Sequence, residues 1–84
     1  MVGYMSTQYL SELKTKLVGK LPGYRFVDKG SSLFSIMKDN QEIAVVRDAG
    51  DHVIVTIGSK DYRYDKWYTK PEHLANVIIN YFTT

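Results

Sequence analysis

Cysteine is absent from this 84-residue chain, which excludes a disulfide framework, a thiolate nucleophile and any cysteine-based metal site. That absence is compatible with a reducing cytoplasm. An excess of one charge is missing too. Eleven basic residues against nine acidic leave a net +2, too mild to imply nucleic acid by itself, because a dedicated binder carries a basic patch or stripe. No apolar run approaches the length that spans a bilayer, and Met1-Val2-Gly3-Tyr4-Met5 lacks the charged region and apolar run of a signal peptide. A soluble cytoplasmic protein with no membrane partner is expected. Histidine occurs only at His52 and His73, without a second histidine or a carboxylate pair at ligand spacing, so no metal site is expected. The Asp48-Ala49-Gly50-Asp51 segment beside His52 reads as a solvated turn rather than a cation loop. Gly19, Gly23, Gly30, Gly50 and Gly58 each fall at a helix end or turn, which leaves no phosphate-cradling loop. Ser31 and Ser32 have no histidine at a readable spacing. Neither a catalytic residue nor a cofactor emerges, and the chain does not read as an enzyme.

What is present is ordinary for a globular domain. The hydrophobic and charged fractions sit near globular averages, and the length suits one domain over residues 1–84, with residues 1–5 a loose lead-in. From Ser6 or Thr7, both good N-caps, Leu10, Leu13, Leu17 and Leu21 recur at helical spacing, and Gly19 then Pro22-Gly23 end the element. Thr69-Lys70-Pro71-Glu72 matches a capping box opening a second helix to about Phe82, which buries Leu74, Val77, Ile78, Tyr81 and Phe82.

Between the helices the pattern changes to strands. A two-residue Asp39-Asn40 turn sets Ile36 opposite Ile43 and Phe34 opposite Val45. A three-residue Ala49-Gly50-Asp51 loop then sets Val45 opposite Val55. A Ser59-Lys60 turn places Val55 beside Tyr64, and a Lys29-Gly30-Ser31 loop pairs Phe26 with Phe34. Five strands result. One face is apolar enough to require a lid, and two amphipathic helices are available to supply it. The expected fold is α+β: a two-layer sandwich ordered helix, five-stranded antiparallel meander, helix, with both helices on one sheet face. The other face stays open, with Val27, Leu33, Val46 and Ile54 in an apolar line across it. Arg25, Arg63 and Trp67 rim that line, and Asp48 and His52 stand at one end.

Two family resemblances follow from these residues. Leu10 to Phe26, with Leu21-Pro22-Gly23-Tyr24-Arg25-Phe26 leading into a strand, resembles the first helix and strand of a double-stranded-RNA-binding domain. It covers the first third of the chain only; Glu72 and His73 stand where that family opens its last helix with lysines. As a whole, the layout is similar to the frataxin type, which implies two helices on one sheet face. Lys14, Lys16 and Lys20 replace that family's acidic first helix, so the layout carries over and the iron chemistry does not.

The functional expectation is a non-catalytic protein-binding or self-associating module that uses Val27, Leu33, Val46, Ile54, Arg25, Arg63 and Trp67, since an apolar line with a mixed-charge rim has the anatomy of an interface. A competing route is pairing along the edge strand within Tyr62 to Tyr68, which no proline blocks. The alternative is nucleic-acid binding through Lys14, Lys16 and Lys20 with Arg25 and Arg63. A small enzyme is third.

Overall fold

A computed structural model describes residues 6–30 and 32–83, with side chains from residue 8 onward. The lead-in of residues 1–5, the capping side chains of Ser6 and Thr7, and Ser31 of the first hairpin loop lie outside the described residues. The elements run α1 (Ser6–Val18), β1 (Arg25–Gly30), β2 (Leu33–Lys38), β3 (Gln41–Asp48), β4 (His52–Ile57), β5 (Lys60–Asp65) and α2 (Pro71–Thr83). The strands form one antiparallel sheet in the order β1-β2-β3-β4-β5. Leu10, Leu13, Leu17 and Leu21 are buried as their spacing requires, and Tyr9 joins them with no exposed surface. Leu74, Ala75 and Ile78 of α2 meet the same core, which the sheet completes with Phe34, Ile36, Val46, Val53 and Val55. Both helices therefore cover one face of the sheet, and each fully buried aliphatic or aromatic side chain there contributes about 1.5–3 kcal/mol. No helix among the described residues is long and apolar enough to cross a membrane.

The register differs from the one that alternation predicts, and the difference begins in β3. Asp39 and Asn40 take positive φ (+53° and +65°), as a type I′ turn requires, and Lys38 pairs with Gln41 and Met37 with Glu42. Ile36, however, pairs with Ala44 rather than Ile43. Ile43 is the extra residue of a β-bulge. Beyond it Ala44 and Val46 face the helices, while Val45 turns to the open side opposite Ser35 and Thr56. Val46 is thus core and not part of the open face. The physical reason lies two residues on. An inward Ile43-Val45-Arg47 phase would aim Arg47 at the helix side, whereas the observed phase aims Asp48 there, and Asp48 finds Lys66 at 2.7 Å.

A second departure compensates the first. Ala49 N donates to His52 O at 2.9 Å, so the β3–β4 loop has two residues, Gly50 and Asp51, rather than three. One residue gained in the bulge and one lost in the loop leave Val53 and Val55 inward. The outer hairpins slip by two, pairing Phe26 with Ile36, Val55 with Tyr62 and Val53 with Tyr64, which preserves every face. Helix α2 also starts differently. Leu74 N bonds to Lys70 O at 3.0 Å, which makes Lys70 the N-cap and Pro71 the first helical residue in place of a Thr69 capping box. Tyr81 is half-exposed at the rim rather than buried.

The bulge predicts a sharp contrast between neighbours. Val46→Arg should lower unfolding free energy by about 3 kcal/mol or more, because it buries an unpaired charge, while Val45→Arg should change it by less than about 1 kcal/mol. Urea titration followed by circular dichroism checks this, and equal effects would overturn the assigned phase.

Burial, with the neighbouring Tyr62 as the second cause, raises the Tyr64 phenol above its ordinary value of 10.0. The folded state then holds that proton more tightly than the unfolded chain, so the stabilisation is complete below pH about 10 and is lost as pH rises through the folded value. Tyr64→Phe should flatten the fall in stability above pH about 10; an unchanged alkaline limb would refute the assignment.

Candidate functional site

The face turned away from the helices is built by alternation from the same strands. Its central row runs Val27, Ser35, Val45, Thr56, Asp61, and the next runs Leu33, Arg47, Ile54, Arg63. Leu33, Val45 and Ile54 are half-buried among their neighbours, while Arg25, Val27, Arg47 and Arg63 are exposed. Polar bonds stitch the surface: Ser35 Oγ donates to Glu42 Oε2 at 2.6 Å, and Thr56 Oγ1 to Asp61 Oδ1 at 2.7 Å. The result is a mixed surface with isolated apolar side chains between arginines, not a continuous apolar stripe.

At the β3–β4 turn end of the sheet the surface changes character. Trp67 and Tyr68, in the connection from β5 to α2, are 82% and 84% exposed. Their backbone is nevertheless held closely. Asp65 Oδ1 accepts from Trp67 N at 2.7 Å, the Asp65 carbonyl accepts from Tyr68 N and Thr69 N, and Lys66 N donates to Asp51 O at 3.1 Å. Between the two aromatic residues and the core lies Lys66. Its ammonium bonds to Asp48 Oδ2 at 2.7 Å, with side-chain exposures of 11% and 1%, and sits 5.5 Å from the centre of the Tyr9 ring. The Tyr9 hydroxyl in turn donates to the Thr69 carbonyl. Trp67 and Tyr68, with Gly50, Asp51, Asp65, Lys66 and Lys70, bound a surface cleft of about 640 Å³.

A short polar chain borders this cleft. Arg63 Nη2 lies 3.1 Å from His52 Nε2, and His52 Nδ1 lies 2.7 Å from Asp51 Oδ1. A guanidinium only donates, so Nε2 accepts and the ring proton sits on Nδ1, facing Asp51. The hydrogen bond from His52 is the largest cause that holds the Asp51 carboxyl below its ordinary range. Among the described residues no three histidine or carboxylate side chains converge as a metal cluster would.

The residues expected to act together are only partly gathered. Leu33, Ile54 and Arg63 share one row. Val27 lies on the edge strand, and Arg25 stands at the opposite end of the sheet from Trp67, 3.4 Å from Asn40 Oδ1. Val46 is under the helices, and Asp48 leaves the open face for the buried pair. The three lysines do not converge: Lys14 of α1 is bonded to Asp28 at 2.9 Å over a cleft against β1, whereas Lys16 of α1 and Lys20, in the turn that follows the helix, line a different cleft with Glu72 and Asn76. Sequence reasoning missed Val45, Arg47 and Tyr68. The first two are hidden by the bulge, and Tyr68 by reading the aromatic run only as strand. The chain matches no protein-family model, no curated protein and no solved structure.

Removing one partner of a buried ion pair strands the other charge. Lys66→Ala should lower stability by about 3 kcal/mol and free the β5–α2 connection, seen as a drop in the steady-state anisotropy of Trp67. Because Trp67 is the sole tryptophan, the signal has no background; unchanged anisotropy would show that the pair does not hold the connection.

Proposed function

We propose that the protein is a non-catalytic protein-binding module whose contact surface is the open sheet face, with Trp67 and Tyr68 at its end as anchors. The observation that carries this reading is the exposure of two adjacent large aromatic residues on a backbone already fixed by Asp65, Asp51 and the Lys66–Asp48 pair. Aromatic residues left in water on a rigid support lose little backbone entropy when they are covered, and tryptophan, tyrosine and arginine dominate the energetics of protein interfaces. Arg47 and Arg63 stand on the adjoining face around Ile54. The partner on this reading presents an apolar pocket for the rings and carboxylates for the arginines.

The competing reading is nucleic-acid binding, with Trp67 and Tyr68 as a stacking platform beside Lys70. Asp51 and Asp65 share the cleft with those rings, and a phosphate backbone passing there would meet both carboxylates. Affinity capture from cell extract, comparing wild type with Trp67→Ala/Tyr68→Ala and with Ile54→Asp, should recover a protein that both variants lose by at least tenfold while circular dichroism stays native. Labelled RNA and DNA should bind no better than a weak, length-independent background. Micromolar nucleic-acid affinity with a steep salt dependence that Lys16→Ala or Lys20→Ala reduces would replace the proposal.

A further inference from the structure

The meander leaves two sheet edges, and they are not equivalent. The β1 edge is blunted: its register breaks between Asp28 and Gly30. The β5 edge is regular over its whole length, carries no bulge and contains no proline. We infer that a second copy of this chain pairs with β5 in antiparallel register, Tyr62 opposite Tyr62, to give a two-fold dimer with a continuous ten-stranded sheet. This edge borders the open face and shares Asp61 and Arg63 with it, but the inference does not depend on the reading given above.

The register follows from hydrogen-bond phase and charge. Gly58 takes positive φ (+65°), and the Gly58-Ser59 turn closes on the Ile57–Lys60 pair. In a two-residue hairpin that closing pair exchanges both bonds, so along β5 Lys60, Tyr62 and Tyr64 bond to β4 while the backbone groups of Asp61, Arg63 and Asp65 point outward. A two-fold axis normal to the sheet keeps the helices of both copies on one side and allows only registers in which like faces meet. With Arg63 opposite itself, guanidinium faces guanidinium and Asp61 faces Asp65. With Asp61 opposite itself, carboxylates collide. With Tyr64 opposite itself, the ladder would need the Asp65 carbonyl, which Tyr68 N and Thr69 N already occupy. With Tyr62 opposite itself, Asp61 meets the second copy's Arg63 twice, each pair able to exchange both backbone bonds and to add a charge pair across the open face. Asp61 takes the Thr56 hydroxyl on Oδ1, leaving its second oxygen for that arginine.

The helix side of the same edge is apolar. Tyr62 packs edge-on to Tyr81, ring centres 6.4 Å apart, and Val55, Ile57, Tyr64, Val77 and Tyr81 surround it in a shallow groove. Tyr81, 52% exposed, is only half covered by its own chain and lies where the second copy's Tyr62 and α2 arrive.

Because the chain has no cysteine, a single introduced one reports on this contact alone. Opposed residues of a non-hydrogen-bonded antiparallel pair lie about 4.5 Å apart between Cα atoms, within disulfide range. Tyr62→Cys should cross-link to a dimer under mild oxidation, and Tyr64→Cys, displaced from its own copy by about four residues of strand, should cross-link at least tenfold more slowly. A second arm avoids touching the core. Asp61→Arg and Arg63→Asp should each be monomeric by sedimentation equilibrium, while an equimolar mixture forms a heterodimer. Wild type should rise from the monomer mass towards twice that value by a few hundred micromolar, and Trp67→Ala/Tyr68→Ala should behave like wild type. Wild type that stays monomeric at that concentration, faster cross-linking through Tyr64→Cys, or charge variants that fail to complement would each overturn the inference. Loss of the dimer in Trp67→Ala/Tyr68→Ala would place self-association at the aromatic end instead.

Discussion

One inserted residue, Ile43, decides which half of this protein meets water. Without the bulge, the strand from Glu42 to Asp48 would send Val45 and Arg47 towards the helices and leave Val46 outside. With it, Ala44 and Val46 enter the core and Asp48 arrives at the end of the same row. The small side chain of Ala44 suits a position beneath helices, and Val46 fills the sheet centre. The shorter loop at Gly50-Asp51 then restores the phase for β4 and β5. The outward residues of β3, Val45 and Arg47, are therefore placed by an irregularity, and its correction in the loop keeps β4 and β5 in phase with them.

The buried ion pair is the second consequence of that phase. Asp48 accepts from Gly50 N as well as from Lys66, so one carboxylate closes the tight turn and fastens the segment leading to α2. Pairs of this kind contribute little net stability compared with apolar replacements, but they penalise any arrangement that separates the two charges. Here the penalised arrangement is a loose connection between β5 and α2. Tyr9 adds to the same restraint from α1, through its ring and its hydroxyl. The exposed pair Trp67 and Tyr68 is consequently presented by a frame that reaches three separate parts of the chain.

Much of the architecture was legible from residue pattern alone. Helical spacing located α1 and α2, turn chemistry located all four hairpins, and the need to cover one apolar face placed both helices together. The failure was local and has a physical cause. Ile43-Ala44-Val45-Val46 is apolar in both phases of a strand, so alternation cannot choose between them, and either phase ends on a charge, Arg47 or Asp48. The choice rests on which charge finds a partner, and Lys66 lies 18 residues away in sequence. The slips of two in the outer hairpins are invisible for a related reason, since they exchange neighbours without exchanging faces. Of the expected site, Leu33, Ile54, Arg63 and Trp67 were legible because none of them lies on the bulged strand, although the bulge sets Arg47 rather than Val46 between Leu33 and Ile54; Val46 was not.

The meander also shapes how the chain reaches this state. Each strand pairs with its neighbour in sequence, so the sheet can assemble through short loop closures in the microsecond range typical of hairpins. The Tyr9 hydroxyl and the Thr69 carbonyl, by contrast, are 60 residues apart and can meet only after the sheet and both helix ends are in place. On a ribosome, all five strands emerge before α2. For that interval the inner face, with Phe34, Ile36, Val53 and Val55, has at most one of its two helices to shield it. The period of greatest exposure to misassociation is thus set by the time needed to synthesise and dock a single 13-residue helix.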